Sequence, residues 1–511
     1  MKCSLQYAAM FRTIINKKRI VERHVHAISI GTDGSTRHLI INDNELQMKR
    51  TLATICLFSL FLSTGIRAYA QQITPFKEDD RVVFLGNSIT DGGHYHAYIW
   101  LYYMTRYPQM NLLIQNAGIG GDRVIEMLKR LDGDVFSKQP TVLITTFGMN
   151  DSGYLEYNGP EPEKFADSKV KESFEAYKQM EKRFQGLPDT KIVLLGSSPY
   201  DEEAVIADNT PLKNKNKAML RIVDFQRASA NQNKWEFFDF NQSMTDINRR
   251  FQKTDASFTI CGNDRVHPDT DGHMVMAYLF LKAQGFAGKK VAEIAIDASK
   301  QRIISSANCT LSDIKKNATG ISFDYQANAL PYPLDTIPRG WGSKKSQSDA
   351  TKVVPFIEEM NQELLTVTGL QGRHKLLIDD EVIGVWSAAD FAKGINLATH
   401  TNTPQYQQAL RVMHLNEARW EIERQFRDYA WVQYNFFQPR GLLDANNRKA
   451  IEVLDQHVST DGWLRAKRNL YAKAMFPEVR NAWQGQMDLL LDAIKDVNTP
   501  KKRTLSLVRV K

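Results

Sequence analysis

Val82-Val83-Phe84-Leu85-Gly86-Asn87-Ser88-Ile89-Thr90-Asp91 is the stretch from which the fold is read. Four consecutive apolar residues predict a strand buried on both faces, as in a parallel sheet covered by helices. The small-residue turn that follows presents a serine hydroxyl at the sheet edge. A serine after a strand is most often a helix N-cap, so this stretch alone does not decide the chemistry. Three later segments decide it: Asn116-Ala117-Gly118-Ile119-Gly120-Gly121-Asp122, Gly148-Met149-Asn150-Asp151 and Asp264-Arg265-Val266-His267.

Outward from this strand the pattern repeats. Short apolar runs at 81–85, 112–115, 142–146, 192–195 and 236–240 alternate with helical periodicity, notably at 165–184 and 212–231. This predicts an α/β fold, a flavodoxin-like three-layer sandwich around a five-stranded parallel sheet. Ligands of such sheets bind beyond the carboxyl ends of the strands. Ser88, Gly121, Asn150 and Ser197 all follow strands, so the topology brings them to that one edge. Asp264 and His267 come after the fifth strand and a longer loop.

Beyond residue 285 the character changes. Strands are expected at 291–297 and 321–325, a hairpin of 365–370 with 374–379, helices from about 403, and a closing strand at 505–510. Leu415, Ala418, Ile422, Phe426 and Tyr429 form one apolar helical face. The organisation is therefore a catalytic domain over 78–285 and an α+β, largely helical region over 286–511 without an assigned role.

Before the first strand, Met48-Lys49-Arg50, an apolar run from Leu52 to Phe61, and Ala68-Tyr69-Ala70 have the layout of a secretory signal peptide over 48–70. The apolar run is short of the ~20 residues a membrane span needs, so no stable membrane anchor is expected. Residues 1–47 read as an upstream extension, and the location as periplasmic or secreted. Residues 1–70 hold ten Lys/Arg and four Asp/Glu, which leaves a net charge near +2 of the whole chain's +8 to the rest. The high basicity thus gives no case for nucleic-acid binding. Cys261 and Cys309 are the two cysteines beyond residue 70. Pairing and a free, buried Cys261 both stay open, and no ligand cluster calls for a metal or other cofactor.

A serine hydroxyl is a poor nucleophile until a base takes its proton. His267 is the candidate base, and Asp264, three residues earlier, is placed to orient it. The Ser88 and Gly121 N–H groups and the Asn150 amide are the natural donors to an oxyanion.

At these residues the chain resembles the SGNH, or GDSL-type, esterase/lipase family, over roughly 78–285. The resemblance implies Ser88 as nucleophile, Gly121 and Asn150 as oxyanion donors, and Asp264 with His267 completing the triad. Asn87 stands where the family name has Asp. The family includes lipases, thioesterases, acetylhydrolases and carbohydrate esterases. The leader and the lack of an apolar lid near the triad favour a secreted esterase removing small acyl groups, O-acetyl above all, from glycans. The alternatives are a lipid or lysophospholipid esterase and a catalytically silent glycan-binding scaffold. Asn87, His94, Tyr95, Arg123 and Tyr200 are candidates for substrate contact. The tryptophans Trp420 and Trp431 are candidates for sugar stacking or, as helical aromatics more often are, for packing. His273 reads as structural.

Overall fold

The computed structural model describes residues 72–316, 318–339 and 344–510, which belong to one compact unit. The expected leader over 48–70 and the expected upstream extension over 1–47 lie outside the described residues. Strands β1 (Arg81–Gly86), β2 (Leu113–Gly118), β3 (Val142–Phe147), β4 (Lys191–Gly196) and β5 (Glu236–Asp239) form an all-parallel sheet in the order β2-β1-β3-β4-β5. Side chains alternate between faces along each strand. Val82 and Phe84 of β1, with Val193 and Leu195 of β4, enter one core. Val83 and Leu85, with Ile192 and Leu194, enter the other. Both faces are therefore covered, as the continuous apolar runs require.

Helix α1 (Ser88–Asp91) is a single turn after β1, followed by α2 (Tyr95–Arg106), α3 (Val124–Lys129), α4 (Pro162–Gln185) and α5 (Lys215–Asn233). The long loop expected after β5 contains a helix, α6 (Phe240–Gln252), capped by Asp239, whose Oδ1 accepts from Gln242 N. Helix α7 (Thr270–Ala283) then closes the layer against α2.

The region past residue 285 holds a β-sandwich. Strands β6 (Ala292–Asp297), β7 (Arg302–Ala307), β10 (Glu363–Thr368) and β13 (Ile395–Asn396) form one sheet, in the order β13-β10-β6-β7. Strands β8 (Cys309–Lys316), β9 (Gly320–Ala327), β11 (Arg373–Ile378), β12 (Glu381–Ser387) and β14 (Arg503–Val510) form the other, in the order β12-β11-β14-β9-β8. The expected hairpin of 365–370 with 374–379 does not form. Strands β10 and β11 lie in different sheets, and Leu365, Val367, Leu376 and Ile378 face one shared core. The hairpin is β11–β12 instead, turned by Asp379 and Asp380 at φ of 50° and 73°, the pair of positive values a tight two-residue turn needs.

Between β13 and β14 the chain leaves the sandwich to make α8 (Pro404–Trp431), α9 (Arg448–Asp455), α10 (Gly462–Ala474) and α11 (Pro477–Asn498). It then returns as β14, which is central in its sheet rather than a closing edge. The expected apolar face of α8 is only half-buried, and Phe426 meets Trp483 of α11. The face α8 buries mixes apolar Val412, Met413 and Trp420 with a run of polar residues, Asn416, Glu417, Arg419, Glu423 and Arg427. These charges are matched on the parallel-sheet layer. Arg427 makes a two-pronged pair with Asp134, at 2.9 and 2.6 Å, and Glu423 Oε1 accepts from Asn116 N at 2.8 Å. Asn416 donates to Ala97 O at 3.2 Å. Helical periodicity finds apolar stripes, so a face buried through paired charges escapes it.

Candidate active site

The end of β1 dictates where Ser88 sits. Asn87 is extended, and its side-chain oxygen accepts from Ile89 N at 3.0 Å, capping α1. The asparagine amide thus does the capping that a carboxylate would do there. Ser88 is the first residue of that turn and is 7 % exposed. At the end of β2, a Cβ on Gly118 would fall 2.3 Å from Asp91 N, so only glycine lets β2 approach α1 this closely.

His267 Nε2 lies 2.8 Å from Ser88 Oγ, and its Nδ1 lies 2.6 Å from Asp264 Oδ2. Asp264 Oδ1 accepts from the backbone N–H of Val266 and of His267, both at 2.9 Å. Partial burial alone would raise the Asp264 pKa. The hydrogen bond and charge of His267, with those two N–H groups, instead hold it below the usual carboxylate range. An ionised Asp264 keeps the proton on Nδ1 and leaves Nε2 as acceptor for the serine proton.

The donors face the same edge. Ser88 N–H, at the first position of α1, and Gly121 N–H have no protein acceptor among the described residues. Gly121 has φ of +88°, a conformation that costs a side-chain-bearing residue strain. Asn150 Nδ2 donates one hydrogen to Asp122 O at 2.9 Å, beside Gly121, and its Oδ1 accepts from Tyr154 OH at 2.7 Å. The amide orientation is fixed by these two bonds, and its second N–H has no acceptor among the described residues.

Several side chains hold this constellation that local sequence patterns do not mark. Buried Asp91 accepts from Gly120 N at 2.9 Å, and burial raises its pKa. Trp431 Nε1 donates to Gly120 O at 3.1 Å, and Asn435 Nδ2 reaches Asp122 Oδ1 at 3.2 Å. Burial pushes Asp122 up to about 6, against the pull of Arg130. Lys215, fully buried, donates to Met149 O and Ser152 Oγ at 2.7 Å and to Gly153 O at 2.5 Å, tying down the turn that carries Asn150. Burial lowers its ammonium to about 7. Arg265, between Asp264 and His267, is buried at φ of +68° and donates to the carbonyls of Asp201, Ala204 and Asn209.

Of the other candidates, Tyr95 is fully buried, edge-on to Phe84, with its hydroxyl on Thr90 Oγ1 at 3.0 Å. Tyr200 is buried and accepts from Leu212 N. Arg123 pairs with Glu126 and starts α3. His94 is buried but lines the recess beside Ser88, stacked on Trp420 at 3.9 Å. Trp420 and Trp431 are packed, at 5 % and 9 % exposure, whereas Trp463 is 51 % exposed. His273 is buried in α7 and stacks on Tyr95. Both Cys261 and Cys309 are free thiols. Among the described residues no group of His, Cys, Asp and Glu is arranged to hold a metal ion, and no helix is long and apolar enough to cross a membrane.

The recess beside Ser88 is small, about 40 Å³, and is walled by Ile89, Gly92, His94, His267 and Arg339. A polar groove of about 410 Å³ shares His94 and Arg339 with it and runs along α8. A larger cavity, about 800 Å³, lies at the far end of α2 near Arg106 and Gln326, away from Ser88 and His267.

The GDSL-like lipase/acylhydrolase family matches residues 84–275, and the diltiazem deacetylase C-terminal helical domain matches residues 410–499. A solved gut microbial diltiazem-metabolizing enzyme is 61% identical, with a TM-score of 0.85, over 86% of this chain and 100% of that one. An acetylxylan esterase of Geobacillus stearothermophilus is 24% identical over 226 residues, 40% of this chain and 94% of that protein. A GDSL esterase/lipase of Arabidopsis thaliana is 25% identical over 161 residues, 31% of this chain and 60% of that protein.

Proposed function

Because the chain belongs to the GDSL-like lipase/acylhydrolase family and is a carboxylic ester hydrolase, we propose that it removes small acyl groups, acetyl foremost, through Ser88, His267 and Asp264. The observation that carries this reading is the unbroken relay Asp264–His267–Ser88, at 2.6 and 2.8 Å, beside a recess of only about 40 Å³.

In this mechanism His267 Nε2 takes the Ser88 proton as Oγ bonds to the ester carbonyl carbon. The carbonyl oxygen becomes an oxyanion facing the Ser88 and Gly121 N–H groups and the Asn150 amide. Collapse breaks the bond to the alcohol oxygen, which leaves with the proton from His267. A water, deprotonated by His267, then attacks the acyl-serine and releases the acid. The chain's own donors supply the charge stabilisation, and no metal or other cofactor enters the scheme.

The recess has room for an acetyl group, since a single water needs roughly 10–15 Å³, and it would not take an extended acyl chain. This size argues against a lipid esterase. The relatives support acetyl ester chemistry: one metabolizes diltiazem and another is an acetylxylan esterase. The deacetylase helical domain matched at 410–499 points the same way. Acetylated glycans fit best with the leader at 48–70, and export with cleavage after Ala70 belongs to the same proposal. N-terminal sequencing of the periplasmic or secreted protein tests the cleavage.

The chemistry is tested by initial rates on p-nitrophenyl acetate, butyrate and octanoate, with Ser88→Ala as control. Activity should fall with acyl length and vanish in the variant. A preference for octanoate, or wild-type rates in Ser88→Ala, would overturn the reading.

A further inference from the structure

The recess beside Ser88 accounts for the acyl group but not for the alcohol to which it is attached. The surroundings of Gly120 show where that half lies. A Cβ on Gly120 would stand 3.9 Å from Ser88 Cβ and 3.7 Å from Trp463 Cζ3. One glycine therefore separates the serine from the ring of Trp463, which begins α10 under the Asp461 cap. That ring is 51 % exposed, whereas Trp420 and Trp431 are buried. A large ring with about half its surface open at the mouth of a site is placed to meet a ligand.

From Trp463 the surface continues into the polar groove. Lys467 Nζ lies 5.8 Å from the Trp463 ring centroid and pairs with Asp428, which lines the groove with Glu421, Arg424 and Gln425. Arg339 and His94 join the groove to the recess of Ser88. In its wall, Trp420 Nε1 is buried without a hydrogen-bond partner among the described residues, whereas Glu417 Oε2 is ion-paired, 3.5 Å from His94 Nε2 and 3.8 Å from Arg339 Nε. A buried N–H left unmatched in this way is costly in a finished core and common where a ligand completes a network.

The lining selects a chemistry. Both signs of charge alternate along the groove, with Glu421 and Asp428 beside Arg424 and Arg339, so a simple cation or anion meets a like charge. An alkyl chain would desolvate these groups without replacing their hydrogen bonds. A pyranose ring offers what the surface asks for: an apolar C–H face for Trp463 and hydroxyls that both donate and accept. We propose that Trp463 and this groove form the alcohol-side subsite, which takes the saccharide that bears the acyl group. The proposal rests on the reading of Ser88 as nucleophile.

The test uses the full mature chain with Trp463→Ala, Trp463→Phe and Arg424→Met. Rates are measured on ethyl acetate and on a panel of mono-O-acetylated mono- and trisaccharides. The ratio of kcat/KM on the trisaccharides to that on ethyl acetate should fall about tenfold in Trp463→Ala, mainly through KM. Trp463→Phe should recover most of that ratio, and Arg424→Met should lower it by a few-fold. An unchanged ratio, including equal loss on both substrates, would mean that Trp463 only braces Gly120, and the subsite is overturned. Wild-type activity on ethyl acetate but on no saccharide would overturn the saccharide assignment and leave the serine mechanism standing. Activity on neither would overturn the esterase reading itself.

Discussion

The indole N–H of Trp431 donates to the carbonyl oxygen of Gly120 at 3.1 Å, joining residues 311 positions apart. Gly120 precedes Gly121, the proposed oxyanion donor, so the helical segment between β13 and β14 holds the backbone of that loop. Asn435 and Glu423 reinforce it through Asp122 and Asn116. A helical region that reads as an appendage thus packs directly onto the loop of the candidate site.

Trp431→Phe keeps the ring and removes the donor. One neutral hydrogen bond contributes about 0.5–1.5 kcal/mol, so kcat on p-nitrophenyl acetate should fall by roughly three- to tenfold, with KM little changed. Steady-state kinetics beside a melting curve distinguish a displaced loop from an unfolded one. Unchanged kcat in a folded variant would show that the loop holds its shape without the C-terminal helices.

In the proposed mechanism Asn150 donates directly to the oxyanion, so its removal should be felt in the chemical step. Asn150→Ala should lower kcat by about 100- to 1000-fold, the range for one oxyanion donor. Tyr154→Phe, which loses only the bond that orients the Asn150 amide, should cost less than tenfold. An Asn150→Ala variant with near wild-type kcat would remove this residue from the oxyanion hole.

The local parts of the site were legible, and the long-range parts were not. Ser88, Gly121, Asn150, Asp264 and His267 each sit in a short motif after a strand, and chain order along a parallel sheet brings such motifs to one edge. The alternating buried runs likewise disclosed β1 to β5 in order. Arg265 shows the limit, because nothing local says that its guanidinium crosses to residues 201–209. Strands β10 and β11 show another: two neighbouring apolar runs look the same whether they pair edge to edge or face each other across a core. Nothing local marks Trp463 either, because exposure is a property of the assembled surface.

Arg265 gives a test of how firmly the histidine must be held. Its side chain anchors the loop to residues 201–209 while its backbone takes a left-handed conformation that a non-glycine residue enters at a cost. Arg265→Met should lower kcat by roughly 10- to 100-fold through misplacement of His267. Arg265→Lys should recover only part of this, because an ammonium cannot reproduce the guanidinium fork. Equal kcat in wild type and Arg265→Met would assign the arginine to stability alone, which a urea titration would then register.

Glu363 makes the fold pH-sensitive far from the catalytic serine. It is fully buried in β10, where Oε1 accepts from Tyr325 OH at 2.8 Å and from Gln405 Nε2 at 3.0 Å, while Oε2 has no hydrogen-bond partner among the described residues. Burial raises its pKa from 4.5 to about 7. Between those values the native chain binds a proton that the unfolded chain has released, so stability falls as pH rises through this window. The contribution is fully present below pH 4.5 and is lost above about 7. Urea unfolding at pH 5 and pH 8 should show the wild type losing more stability across this range than Glu363→Gln, which cannot ionise. The difference should be on the order of 3 kcal/mol. Matching pH slopes in the two proteins would show that Glu363 is already ionised in the native state at pH 5.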